Sequence, residues 1–133
     1  MVRKEACWTI SNITAGTSDQ IRQVYDSGLF TACCQMLCND DIEVKKEAVW
    51  AISNTTTSAD MPLLIKLIEA GMINSLCVSL RLKSVKMVAV ALEGISTLLE
   101  IGAKNFMKDN ENLFALEVER VGGLEALEEL QHH

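Results

Sequence analysis

A chain of 133 residues that is 49% hydrophobic, with one proline and seven glycines, is the size of one domain and long enough to bury a core. Ala, Leu, Ile, Val, Glu and Lys dominate and aromatics make up only 5%, which favours helices over a β-sandwich. The net charge of −6 argues against non-specific binding to nucleic acid and in favour of a basic partner.

The first helix is predicted over residues 2–15, ending near Gly16. No Ser, Thr, Asp or Asn stands before it as a cap. A native chain rarely begins inside a helix, so the sequence reads as a piece of a longer repeat protein with Met1 added as a start. A short helix over 19–26 follows, capped by Ser18 or Asp19. Gly28 turns the chain into a helix over 29–38. Asn39-Asp40-Asp41 breaks it, and a long helix runs over 42–56. The cycle then restarts with a short helix over 62–69, carrying Pro62 in its first turn. Gly71 makes the next turn, a helix covers 72–81, and a long helix covers 84–102. Residues 103–111, AKNFMKDNE, form a polar insertion. A helix over 112–120 and a last one over 123–131 close the chain around Gly122-Gly123.

The five cysteines, Cys7, Cys33, Cys34, Cys38 and Cys77, are odd in number and contain no CxxC pair. That is not a disulfide framework, and it suggests a reducing compartment. Cys34 and Cys38 share a helix face at i, i+4 and would suit a soft metal, but small buried hydrophobes is the preferred reading. His132 and His133, native or the remnant of a tag, supply no metal-ligand spacing with the cysteines. No metal or cofactor is expected. No stretch reads as a signal peptide or is long and apolar enough to span a bilayer, so no membrane partner is expected either.

The chain repeats itself. KEACWTISNIT (Lys4 to Thr14) and KEAVWAISNTT (Lys46 to Thr56) are identical at eight of eleven positions, 42 residues apart. SGLFTACCQML (Ser27 to Leu37) matches AGMINSLCVSL (Ala70 to Leu80), and VGGLEALEEL (Val121 to Leu130) is a weaker third copy. VALEGISTLL (Val90 to Leu99) is a degenerate third copy of the first motif, with Ala91, Ile95 and Leu98 in the places of Ala6, Ile10 and Ile13. An all-helical period of this length belongs to the HEAT and armadillo solenoids. The order short, medium, long is the three-helix order of an armadillo repeat, whereas HEAT repeats use two helices. The expected fold is all-α, an armadillo-repeat right-handed superhelical solenoid. Residues 1–16 are the last helix of a first repeat, 17–57 a second repeat, 58–103 a third and 104–133 a partial fourth.

The tryptophans carry the functional reading. Each helical residue turns by about 100°, so Ala6, Ile10 and Ile13 fall opposite Trp8. Lys4, Glu5, Ser11 and Asn12 lie within about 60° of it. The second copy repeats this, with Ala48 and Ile52 buried and Lys46, Glu47, Ser53 and Asn54 around Trp50. A single helical Trp is normally core; two in the same polar stripe, each with an Asn one turn on, point outward to a binding surface. Stacked helices lie about 8–10 Å apart, and an extended peptide advances about 3.3 Å per residue, so three ligand residues span one repeat. Asn12 and Asn54 can donate to and accept from its backbone. Between two indole faces a Lys or Arg stem packs, with cation–π attraction to its head and Glu5 and Glu47 to meet the charge. Such pairs are individually weak, so affinity comes from the array. The ligand this chemistry requires is a basic, extended peptide.

At these residues the sequence resembles the importin-α family, the armadillo adaptors of nuclear localisation signals, around their minor signal-binding site. The resemblance covers essentially the whole chain, including the SGLF, EAGMINSL and VGGLEAL turns. It implies that Trp8, Asn12, Trp50 and Asn54 contact a basic signal peptide, with Ser11, Glu5 and Glu47 assisting. It also implies a protein that shuttles between cytoplasm and nucleus and whose last repeats meet a nuclear export receptor and nucleoporins. Glu93 and Thr97 stand where a third Trp and Asn belong, so the groove is expected to stop there. The family's basic N-terminal segment and its major signal site are not in this sequence.

Two other readings stay open. An armadillo scaffold of another kind, catenin-like or adhesive, would take a hydrophobic ligand instead. An enzyme is disfavoured: no histidine lies within the fold, no Gly-rich phosphate loop or nucleophile elbow occurs, and Cys33 and Cys34 have no base nearby in sequence. The uncovered face of the first helix also predicts self-association through that end, or a rearranged first helix.

Overall fold

The computed structural model describes residues 2–39 and 41–131. Met1, Asp40, His132 and His133, on which the expectations about the chain start, the Asn-Asp-Asp break and the terminal histidine pair partly rest, lie outside the described residues. The helices are α1 (Val2–Thr14), α2 (Ser18–Asp26), α3 (Leu29–Asn39), α4 (Ile42–Ser58), α5 (Met61–Glu69), α6 (Met72–Ser79), α7 (Val85–Asn105), α8 (Leu113–Arg120) and α9 (Gly123–Gln131), with strands β1 (Met107–Lys108) and β2 (Glu111–Asn112) between α7 and α8.

The helix ends follow from local chemistry. Thr17, not Ser18 or Asp19, caps α2: its hydroxyl accepts the Gln20 N–H and the Gln20 side chain accepts the Thr17 N–H. The side chain three residues on thus decides between adjacent capping types. Asp41 caps α4 through Val44 N–H at 3.1 Å, and Asp60 caps α5 through Leu63 N–H at 3.0 Å, just ahead of Pro62. Between the first two helices of each repeat stand Gly28, Gly71 and Gly122, with φ of 80°, 113° and 85°. A side chain is disfavoured in that left-handed region.

The helices lie in three rows. α1, α4 and α7 pack side by side, α3, α6 and α9 form the row behind them, and α2, α5 and α8 run along the outer edge. Leu37, Ile52, Leu67, Met72, Leu76 and Leu98, drawn from all three rows, fill the core and are fully buried. Arg22 of α2 donates to the Asp60 carboxylate at 2.7 Å and Ser18 Oγ donates to it at 3.2 Å, which ties the outer row together. Gly94 lets α7 come close to its neighbours; a Cβ there would lie 2.9 Å from Ser53 Oγ and 3.3 Å from a Leu76 methyl.

Three expectations are corrected. Ala6 is exposed, whereas Ala48 and Ala91 are fully buried. The cause is enclosure: α4 lies between α1 and α7 in its row with α3 and α6 behind it, whereas α1 has a neighbour in its row on one side only. Ile10 is buried and Ile13 is half-buried against the core. The long third-repeat helix does not stop at residue 102 but continues to Asn105. The rest of the polar insertion is a two-stranded antiparallel hairpin, Met107 opposite Asn112 and Lys108 opposite Glu111. Its turn is Asp109-Asn110, with φ of 53° and 64°, the pair of positive values that a two-residue hairpin turn requires. Asn112 fastens this insertion. It accepts the Phe114 and Ala115 N–H groups and donates to the Leu99 carbonyl at 2.8 Å. Phe106 and Phe114 stack across it at 4.8 Å.

Candidate peptide-binding face

The sequence analysis predicted outward tryptophans, and both are exposed: Trp8 by 57% and Trp50 by 37%. The opposite sides of their helices carry Cys7 and Ile10 in α1 and Ala48, Val49 and Ile52 in α4, all buried. Trp8 borders a recess of about 280 Å³ lined also by Lys4, Glu5 and Glu47. Two carboxylates, one from each helix, thus stand beside one indole. Glu43, by contrast, is engaged by Lys4 at 3.5 Å and Lys46 at 3.6 Å. Neither Glu5 nor Glu47 has a cationic partner among the described residues, so both remain open to a ligand's charge.

The two asparagines differ. Asn12 is exposed. Asn54 is half-buried, and its Nδ2 donates to the Ser11 carbonyl at 2.9 Å, joining α4 to α1. One amide hydrogen and the Oδ1 of Asn54 are left for a ligand. Ser11 departs from its expected place on the open stripe. It is 7% exposed and its Oγ donates to the Trp8 carbonyl at 2.6 Å. It lies on the flank of α1 that α4 covers, so its hydroxyl serves the helix and not the groove. Ser53, its counterpart, instead donates forward across the next joint, to the Val90 carbonyl at 3.2 Å.

In the third copy Glu93 is exposed and Thr97 is half-buried, with Thr97 Oγ1 donating to the Glu93 carbonyl at 3.0 Å. The same region holds a residue the sequence reading missed. Lys86 Nζ stands 6.0 Å from the centroid of the Trp50 ring. Lys86 falls one repeat after Glu43 in the sequence, but its approach to Trp50 depends on how α7 packs against α4. The reading also missed a separate recess of about 530 Å³ between α5, α6 and α8, bordered by Ile65, Ile68, Phe106, Phe114 and Arg120. No sequence pattern marks it.

Cys33, Cys34 and Cys77 are not activated as nucleophiles. A bond from the Cys7 side chain and then burial push the Cys33 thiol up, and burial pushes Cys34 and Cys77 each up to about 11. Cys34 is buried but Cys38 is exposed, so Cys38 departs from the expectation of a buried small hydrophobe. Among the described residues no group of three or more His, Cys, Asp or Glu side chains gathers to hold a metal. No single described helix is long and apolar enough to cross a membrane.

Comparison with known proteins agrees with this architecture. Residues 17–57 match the family model of the Armadillo/beta-catenin-like repeat. The chain is 38% identical to importin subunit alpha-4 of Arabidopsis thaliana over 99% of its own length and 25% of the relative's. It is 39% identical to importin subunit alpha-1a of Oryza sativa subsp. japonica over 99% of its length and 26% of that protein's. It therefore spans about a quarter of these curated relatives. Among solved structures it resembles computationally designed armadillo-repeat proteins for modular peptide recognition, with a TM-score of 0.82 and 31% identity over 99% of this chain and 51% of that one. It also resembles a designed armadillo-repeat protein in complex with the peptide (KR)4, with a TM-score of 0.78 and 33% identity over 98% of this chain and 50% of that one. The tandem WxxxN helices, the three-row stack and the 38–39% identity to importin-α subunits over nearly all of this chain agree, and the chain is an armadillo-repeat array similar to about a quarter of an importin-α subunit.

Proposed function

We propose that this chain is the part of a nuclear-import adaptor that binds basic nuclear localisation signal peptides, held extended across α1 and α4. The observation that carries this reading is the recess where the exposed Trp8 ring meets the uncommitted carboxylates of Glu5 and Glu47. A Lys or Arg stem packs against the indole and its head meets the carboxylates. Asn12 and Asn54 hold the peptide backbone, and Trp50 supplies the second ring. An exposed cation–ring contact contributes about 0.5–1 kcal/mol and an exposed ion pair about 0.2–1 kcal/mol, so several ligand residues must engage at once. The designed relative in complex with (KR)4 supports a basic ligand on this scaffold. In the same reading the protein shuttles between cytoplasm and nucleus, the groove runs over the units 1–16 and 17–57, and the following repeats, 58–103 and 104–133, offer a surface to a nuclear export receptor and nucleoporins.

The test is a fluorescence titration with a Lys/Arg-rich peptide. Indole emission should respond, the response should weaken as salt rises, and Trp8→Ala or Glu47→Gln should weaken it. An acidic peptide of the same length should give no response. Silence towards the basic peptide at low salt would refute the proposal and favour a scaffold with another ligand.

A further inference from the structure

The two joints of the first helix row carry different charge. Aligning Ala48 with Ala91, 43 residues on, sets Lys86 in the place of Glu43 and Val90 in the place of Glu47. At the α1–α4 joint, Trp8 therefore has Glu47 beside it, with Glu43 further along the same helix. At the α4–α7 joint the corresponding side chains are the buried Val90 and the exposed Lys86, whose ammonium stands 6.0 Å from the Trp50 ring. That ammonium has no carboxylate partner among the described residues. Trp50 is also the less exposed of the two indoles. A cation from the chain itself is already close to the ring, and the carboxylate that would welcome a second cation has been replaced by an aliphatic side chain.

We infer that Lys86 is a specificity-determining residue of this face: it fills from within the chain the place over Trp50 that a ligand's cation takes beside Trp8. The α4–α7 joint then rejects a basic ligand residue and admits a neutral or acidic one. This rests on the peptide-binding reading above and adds to it a rule for the ligand, a basic core followed by a position from which positive charge is excluded. The groove thus ends in a charge reversal as well as in the loss of a third Trp.

The experiment uses the full chain and a labelled basic peptide in which one residue, three positions to either side of the basic core, is Lys, Ala or Glu. Three residues is the advance that carries an extended chain across one repeat. Anisotropy titrations should show that on one of the two sides the Lys version binds roughly two- to fivefold more weakly than the Ala version, the worth of one exposed cation–ring contact. The Glu version should bind at least as tightly as Ala. Lys86→Ala should flatten that ranking and Lys86→Glu should reverse it. Lys66→Glu changes the net charge equally at an exposed site on α5 and should leave the ranking as it is. A ranking indifferent to both Lys86 changes, or moved as far by Lys66→Glu, overturns the inference and leaves the peptide-binding reading standing. Failure of every basic peptide to bind the unmodified chain overturns both.

Discussion

Asn54 makes an inter-repeat hydrogen bond and, in the proposed function, a ligand contact, and replacing it alongside Asn12 should separate the two. Its Nδ2 donates to the Ser11 carbonyl at 2.9 Å, while Asn12, its counterpart in the first helix, is exposed. Asn54→Ala removes one half-buried hydrogen bond, a loss of about 0.5–1.5 kcal/mol. The Ser11 carbonyl is not orphaned, since it still accepts the Ala15 N–H at 3.1 Å and the Thr14 hydroxyl at 3.2 Å. For 133 residues, at roughly 2.1 cal/mol/K each, a loss of about 1 kcal/mol lowers Tm by roughly 3–4 °C. Asn54→Asp should cost more at neutral pH, because a carboxylate oxygen then faces a carbonyl oxygen with no hydrogen between them. Asn12→Ala should weaken peptide binding and leave Tm unchanged. Thermal denaturation followed by circular dichroism gives Tm, and the peptide titration gives binding. If Asn54→Ala melts within about 1 °C of the parent and of Asn12→Ala, the inter-repeat bond contributes nothing and the distinction between the two asparagines fails.

Acid should loosen the outer row before it touches the core. The Leu63 N–H and then Arg22 hold the Asp60 carboxyl below its ordinary value, and Arg120 does the same for Glu117. A depressed carboxylate contributes stability that is complete above its unfolded pKa of about 4 and is lost as pH falls through the lower folded value. Tm should therefore fall below about pH 4, and Asp60→Asn should blunt that fall; an unchanged acid limb in the variant would refute it. Cys38 is exposed whereas Cys7, Cys33, Cys34 and Cys77 are buried. A thiol reagent at neutral pH should therefore modify Cys38 first and reach the other four only on unfolding; early labelling of Cys33 or Cys34 would contradict the packing.

What the sequence disclosed and what it hid have physical reasons. Helix boundaries were legible where a residue type leaves little choice, as at Gly28 and Gly71, or at Pro62 behind Asp60. The α2 cap was ambiguous because Thr17, Ser18 and Asp19 all have capping side chains, and only the reciprocal bond to Gln20 selects the first. The hairpin was hidden because its strands have two residues each, too few to show alternation, although Asp109-Asn110 is a sound turn pair. The outward direction of Trp8 and Trp50 was legible because angular position along a helix is fixed by sequence spacing. The burial of Ser11 was not, because it depends on which flank the next helix covers. Lys86 escaped for a similar reason: its importance lies in a neighbour on another helix.

The Ile52-Ser53-Asn54 triplet ties the central helix of the first row to both of its neighbours. In α4, Ile52 enters the core, Ser53 bonds forward to the Val90 carbonyl and Asn54 bonds back to the Ser11 carbonyl. These bonds fix α4 on both sides, only a few residues from Trp50. The backbone that carries Trp50 is thus fixed from both sides. In α7 the triplet becomes Ile95-Ser96-Thr97. Ser96 is exposed and Thr97 turns its hydroxyl to its own helix. The back-bond to α4 is gone, and the close approach is left to Gly94 against Ser53. The residue that replaces Asn thus withdraws an inter-repeat tie and, in the proposed function, a ligand contact with it. The third helix can stay packed without either, because a missing side chain at Gly94 supplies the closeness that a hydrogen bond supplies at Asn54.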